Sequence, residues 1–254
     1  MSDFDRHVAA ARFGADRAAI DAGLRAHMIR VYNYMAIGVA LTGLAAWLTF
    51  QAAGGDAIVI RNGMIFGATA FGQLIFNPVT TIVLFLATLG LVVLVSWRID
   101  RLQAATALTL FLVYAGLLGA MLSSIFVVYT GVSITRVLFI SAAAFGGLSL
   151  WGYTTQRDLT GFGSFLMMGL IGIIIASVVN LFLRSSGLDW IISVVGVLVF
   201  AGLTAWDTQK IKEMYDPMDD GTVAGRKAVM GALALYLDFI NLFLMLLRLF
   251  GDRR

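Results

Sequence analysis

Hydrophobic positions in this chain come in long unbroken blocks separated by short polar stretches. Seven blocks fall at about 31–53, 76–97, 103–128, 136–153, 162–183, 188–209 and 228–250. Each approaches the roughly 20 residues that a helix needs to cross a bilayer. Alternation by two is absent, and a barrel strand would need only about ten residues, so the blocks predict helices. The fold class expected is all-α, with seven transmembrane helices. Residues 1–27 lack a long apolar run and form a polar tail, leaving 28–254 as the transmembrane domain. The tail is either a short surface helix or disordered. The first apolar run outlasts a signal peptide's usual core and is expected to be an uncleaved span. The Gly-rich stretch from Gly54 to Phe76, closed by Asn77-Pro78, is expected to lie on the membrane surface or partly re-enter it.

Composition narrows the class. Of 254 residues, 60% are hydrophobic and only 13% charged, against about 25% charged in soluble domains. A soluble fold of this size could not hide that much apolar surface, so an integral membrane protein is expected. With no cysteine, disulfide and thiolate chemistry are excluded. The net charge of +3 does not point to nucleic acid, because the basic residues flank apolar blocks and form no single stripe.

Those flanking charges set an orientation. With the N-terminus in the cytoplasm, Arg6, Arg12, Arg17, Arg25 and Arg30, then Arg98, Arg101, Arg157, Lys210, Lys212, Arg226 and Lys227, all lie inside. Arg61, Arg136 and Arg184 remain outside. Arg248, Arg253 and Arg254 would also fall outside, so the last block either escapes the bias or re-enters; crossing is expected. Twenty-seven glycines, among them Gly38, Gly43, Gly116, Gly119, Gly169, Gly172, Gly196 and Gly202 within blocks, favour close helix packing.

Two acids carry the candidate chemistry. Asp238 lies about ten residues into the last block, roughly 15 Å deep at 1.5 Å per residue. A carboxylate at such depth costs about 2.5–3.5 kcal/mol on insertion scales, so it needs a partner, water or a proton. Asn241, three residues on, shares its face. Asp207 sits at the inner end of the sixth block, in Ala205-Trp206-Asp207-Thr208-Gln209-Lys210-Ile211. It is either an interfacial acid paired with Lys210 or Lys212, or a partner for Asp238. The short connection between the last two blocks makes them antiparallel neighbours. Two adjacent carboxyls in low dielectric would share a proton and titrate as one unit, which is a proton sensor. Arg98, at the end of the second block, is either a charged flank or a cationic latch on one aspartate.

The runs Tyr236-Leu237-Asp238-Phe239-Ile240-Asn241-Leu242-Phe243, Ala205-Trp206-Asp207-Thr208-Gln209-Lys210-Ile211 and Phe145-Gly146-Gly147-Leu148-Ser149-Leu150-Trp151-Gly152-Tyr153-Thr154-Thr155 resemble the bacterial branch of the Bax inhibitor-1 family. The resemblance covers nearly the whole chain after residue 27. It implies seven helices with the last enclosed by the other six, and a pH-sensitive calcium leak across the bacterial inner membrane. It further implies that Asp207 and Asp238 form the hydrogen-bonded pair of the family, with Arg98, or by a small shift Arg101, as its latch. This chain departs from the pattern in having no acid inside the second block, where some relatives carry one.

Calcium takes six to eight oxygens, so Asp207, Asp238, Asn241 and water would make only a weak metal site, which suits passage. Calcium is then a transported ion and no cofactor is expected. The other partners expected are membrane lipid and other membrane proteins, which a non-transporting regulator of membrane complexes or proteases would bind. An enzyme is not expected. The contexts of the two aspartates lack the Tyr-Asp and Gly-x-Gly-Asp signatures of intramembrane aspartyl proteases. No His-Glu-x-x-His or phosphate-binding Gly-x-x-x-x-Gly-Lys motif occurs. Both histidines, His7 and His27, precede the first block.

Overall fold

A computed structural model describes residues 3–61 and 64–254. Its elements are α1 (Asp3–Ala53), a hairpin of β1 (Val59–Arg61) and β2 (Met64–Phe66), α2 (Ala70–Ile75), α3 (Pro78–Arg98), α4 (Ala104–Leu122), α5 (Ser124–Val128), α6 (Gly131–Thr154), α7 (Thr160–Leu183), α8 (Ser186–Glu213) and α9 (Gly221–Phe250). Among the described residues, seven stretches are long and apolar enough to span a bilayer. They are α1 from Ile20, α3, α4 with α5, and α6 to α9. The chain is an all-α membrane protein. The only strands among the described residues are the short antiparallel pair, with Val59 opposite Phe66. That pair lies in the Gly-rich stretch, where the surface-or-re-entrant expectation had included no strands.

Helix ends follow the polar punctuation. Asn77 caps α3 by accepting from the Val79 N–H, and Pro78 occupies the first turn, where its missing N–H is harmless. Ser185 caps α8, while Lys210 and Lys212 fall in its last turn, where cations complement the helix dipole. Asp220 accepts from the Thr222 and Val223 N–H groups and starts α9 seven residues before the apolar block begins. Those seven residues include Arg226 and Lys227, so hydropathy alone missed two turns of helix. Arg226 donates to the carbonyl of Asp100, and Lys227 pairs with Asp219 at 2.6 Å. Both cations thereby tie the base of α9 to neighbouring turns.

α9 is the central helix. It packs chiefly against α1, α4, α6 and α8, while α3 and α7 lie outside on α4 and α8. The most apolar stretch of α9 is 72% buried, against 11% for α3 and α7. Tyr236 is fully buried and meets Phe111 and Tyr114 edge-on, at ring-centre distances of 5.3 and 5.9 Å. Phe239 meets Phe145 of α6 in the same way. Lipid supplies no hydrophobic drive between helices, so such close packing must hold them.

Small residues sit at two backbone crossings. A Cβ on Gly152 of α6 would lie 2.2 Å from the Ala205 carbonyl oxygen of α8, and one on Gly119 of α4 would lie 2.5 Å from that of Thr42 in α1. Gly38, Gly196 and Gly202 are likewise in tight contact, whereas Gly43, Gly116 and Gly172 face open space. The glycine content therefore reflects packing at some positions only.

α9 runs the full height of the bundle. Beyond it, the Asp252 carbonyl accepts from the Thr130 N–H, the Arg254 N–H donates to the Val128 carbonyl, and the Asp252 N–H donates to Ser133 Oγ. Arg254 also pairs with Asp56 at 3.0 Å, and Arg248 with Asp189 at 3.6 Å. These contacts fix the chain end at the face opposite the α8–α9 turn, so the last helix crosses instead of re-entering.

Replacing Gly152 with valine should force α6 off α8 and cost about 1–3 kcal/mol. The expected result is a lower thermal unfolding temperature in detergent for Gly152→Val. Gly161→Ala, a position with no atom within 4 Å of its Cβ, should leave that temperature unchanged.

Candidate functional site

Four successive residues near the end of α8 point in four directions, because each step around a helix turns about 100°. Trp206 lies against Gly163 of α7, where any side chain would collide with the indole. Asp207 faces α9. Thr208 faces α6, and Gln209 faces the connection between α6 and α7. The Gln209 Oε1 accepts from the Leu159 N–H and its Nε2 donates to the Arg157 carbonyl, both at 2.8 Å. One side chain thus closes the 155–159 turn onto α8.

Asp207 and Asp238 meet. Their carboxyls are within hydrogen-bonding reach across the α8–α9 interface. Asp238 is buried at 5% exposure and Asp207 is half-buried. Among the described residues, no N–H or O–H donor reaches the buried Oδ2 of Asp238. Two carboxyls can bond to each other only through a proton.

The meeting depends on the early start of α9. Asp207 lies six residues before the end of α8, about 9 Å along its axis, while Asp238 lies seventeen residues into α9, about 25 Å along. The first turns of α9 therefore project beyond the end of α8. Asp238 is thus seventeen residues from the start of α9, of which ten lie in its apolar block.

The latch and the supporting amide are not where the sequence suggested. α3 ends at Arg98 and tightens into a turn over Ile99–Arg101, and both Arg98 and Arg101 are exposed. Neither belongs to an ion pair among the described residues. The physical reason is position, since α3 packs on the outside of α4 and not beside the pair. Lys210, one turn along α8 from Asp207, lies with its ammonium 5.0 Å from the centre of the Trp206 ring and forms no ion pair with Asp207 among the described residues. Asn241 donates from Nδ2 to the Leu237 carbonyl at 2.8 Å. That amide group serves its own helix.

Two hydroxyl clusters that the sequence reading passed over flank the pair. Thr208 Oγ1 donates to the Thr204 carbonyl at 2.7 Å, so it must accept from Ser149 at 2.9 Å. Ser149 then accepts from the Tyr32 hydroxyl at 2.5 Å. This directed chain ties α1 to α6 and α6 to α8. On the far side of α9, Thr42 Oγ1 lies 2.9 Å from the Gly38 carbonyl, 3.0 Å from that of Ala115 and 2.6 Å from the Tyr236 hydroxyl. With the single proton of Thr42 on a carbonyl, Tyr236 donates to Thr42. The available signal was position: Ser149, Thr208 and Gln209 all stand in the runs that carried the family resemblance.

Among the described residues, no three His, Asp or Glu side chains gather in one place. A divalent cation at the pair would rely on two carboxylates, supplemented by water.

These features define a class: a seven-helix membrane protein whose central helix carries a buried carboxyl paired with one from its neighbour. The family profile described as "Inhibitor of apoptosis-promoting Bax1" matches residues 24–254. The chain is 47% identical to "Inner membrane protein YbhL" of Escherichia coli K12, over 92% of this chain and 94% of that one. An uncharacterised protein of Rickettsia prowazekii is 48% identical over 92% of each chain. One from Caulobacter vibrioides is 43% identical over the full length of both. The chain belongs to the Bax inhibitor-1 family.

Replacing Gln209 with alanine removes the acceptor for the buried Leu159 N–H, at a cost of about 1–3 kcal/mol. Amide exchange at Leu159 should accelerate in Gln209→Ala while exchange in α9 stays slow. For the pair, infrared spectroscopy should show a carboxylic-acid carbonyl band that disappears in Asp238→Asn.

Proposed function

We propose that this protein is a cation leak of the bacterial inner membrane, that calcium is the ion conducted, and that the proton shared by Asp207 and Asp238 gates it. The observation that carries this reading is the carboxyl pair itself. It joins two adjacent antiparallel helices at a place where no other donor among the described residues satisfies Asp238. While the proton is in place, an O–H···O bond ties α8 to the central helix. When it leaves, two anions face each other in low dielectric and repel. Their oxygens then become ligands for a cation.

Proton and calcium compete for the same oxygens, so each weakens the binding of the other by the same factor. Occupancy by calcium therefore falls as pH falls. Two carboxylates are far short of the six to eight oxygens of a tight calcium site, and weak binding lets an ion leave as readily as it enters. Passage and not catalysis is the activity proposed. The excess of Lys and Arg on one set of connections supports a cytoplasmic N-terminus, and the name of the Escherichia coli relative supports the inner membrane.

Purified protein in liposomes, followed with an entrapped calcium dye, tests this. Flux should occur without any partner protein. Its dependence on pH should approach about tenfold per pH unit, the limit for one linked proton, and should flatten in Asp238→Asn and Asp207→Asn. Equal pH dependence in those variants would remove the gate. Absence of flux in wild-type liposomes would overturn the leak in favour of a regulator acting on other membrane proteins.

A further inference from the structure

The chain has a second feature at its inner end, away from the aspartates. α1 packs on α4 and α9, and α6 packs on α8 and α9. Between α1 and α6, the hydrogen bond from Tyr32 to Ser149 forms the floor of a groove of about 590 Å³. Met28, Tyr32, Phe145, Gly146 and Tyr153 line it, and Arg25 stands at its rim. The volume falls within the roughly 300–1,000 Å³ of ligand pockets. Gly146 keeps it open, since a Cβ there would meet no atom within 4 Å.

Of the residues that line the groove, Arg25 alone is charged. Arg25 is exposed and belongs to no ion pair among the described residues. Lys212, outside that lining, places a second cation against Tyr153. Its ammonium donates to the Tyr153 carbonyl at 3.0 Å and lies 5.4 Å from the centre of the Tyr153 ring. An apolar trough between two spanning helices, whose one charged lining residue is a cation, matches an amphiphile with an apolar tail and an anionic head. Basic pockets between membrane helices hold lipid headgroups by this logic.

We propose that the α1–α6 groove binds an anionic phospholipid. One acyl chain lies along Met28, Phe145 and Gly146, and the phosphate meets Arg25 and Lys212. The site is independent of the ion-leak reading, because lipid retention can be measured without flux.

Native mass spectrometry of the full chain in mild detergent, supplemented with phosphatidylglycerol or phosphatidylcholine, provides the test. One phosphatidylglycerol should be retained in preference to phosphatidylcholine. Gly146→Leu, which fills the groove, and Arg25→Gln, which removes the exposed cation, should each reduce that retention by about fivefold or more. Gly90→Leu, at an open position on α3, should not. Thermal unfolding of each variant confirms that it is folded, and Arg25→Gln keeps the test decisive should Gly146→Leu misfold. Equal retention of the two lipids, or full retention in folded Gly146→Leu, would overturn the proposal. Oleate retained in place of phosphatidylglycerol with the same Arg25 dependence would also overturn it, by assigning the groove to free fatty acids.

Discussion

A carboxyl inside the most buried helix of the bundle constrains everything packed around it. Asp238 cannot turn to water, and lipid offers it nothing, so its partner must come from a neighbouring helix. Asp207 of α8 is the neighbour that faces it. Placing them together requires α8 and α9 to be antiparallel, in direct contact, and offset along their axes by about 16 Å. The capping aspartate at position 220 and the polar first turns of α9 provide that offset. The electrostatic pair and the helix start are parts of one solution.

The end of α8 distributes its attachments among several neighbours. Trp206 reaches α7, Asp207 reaches α9, Thr208 reaches α6, and Gln209 closes the turn between α6 and α7. Any rotation of α8 that separates the carboxyls also strains the Thr208–Ser149 bond and the Gln209 clamp. The carboxyl pair therefore belongs to an element whose other contacts are short and directional. At the opposite face, residues beyond α9 are held by Val128, Thr130 and Ser133, and by the pair between Arg254 and Asp56. The central helix is anchored at both ends, and the carboxyl pair sits between the anchors.

The outer helices contribute differently. α3 and α7 show most of their apolar surface outward, as lipid-facing helices do, and meet the bundle through α4 and α8. That placement explains why Arg98 and Arg101 stay away from the aspartates although their position in the chain resembles a latch. The seam between α1 and α6 is the opposite case. Each helix has closer neighbours elsewhere, and one tyrosine–serine bond spans the gap between them.

The sequence by itself determined the seven spans, the helical class, the adjacency of the last two helices and the place of Asp238 inside the last of them. Each follows from local quantities, namely apolar run length, connection length and the cost of a charge in lipid. Family resemblance added the partnership with Asp207. Only the tertiary structure decided that α9 starts at Gly221, that Asn241 serves its own backbone, and that Arg98 belongs to no ion pair among the described residues. Only it revealed the chain from Tyr32 through Ser149 to Thr208, which joins residues more than a hundred positions apart. The reason is physical. Hydropathy reports how deep a segment can lie, whereas hydrogen bonds depend on the rotation and offset of helices, and those are set by packing across the whole bundle.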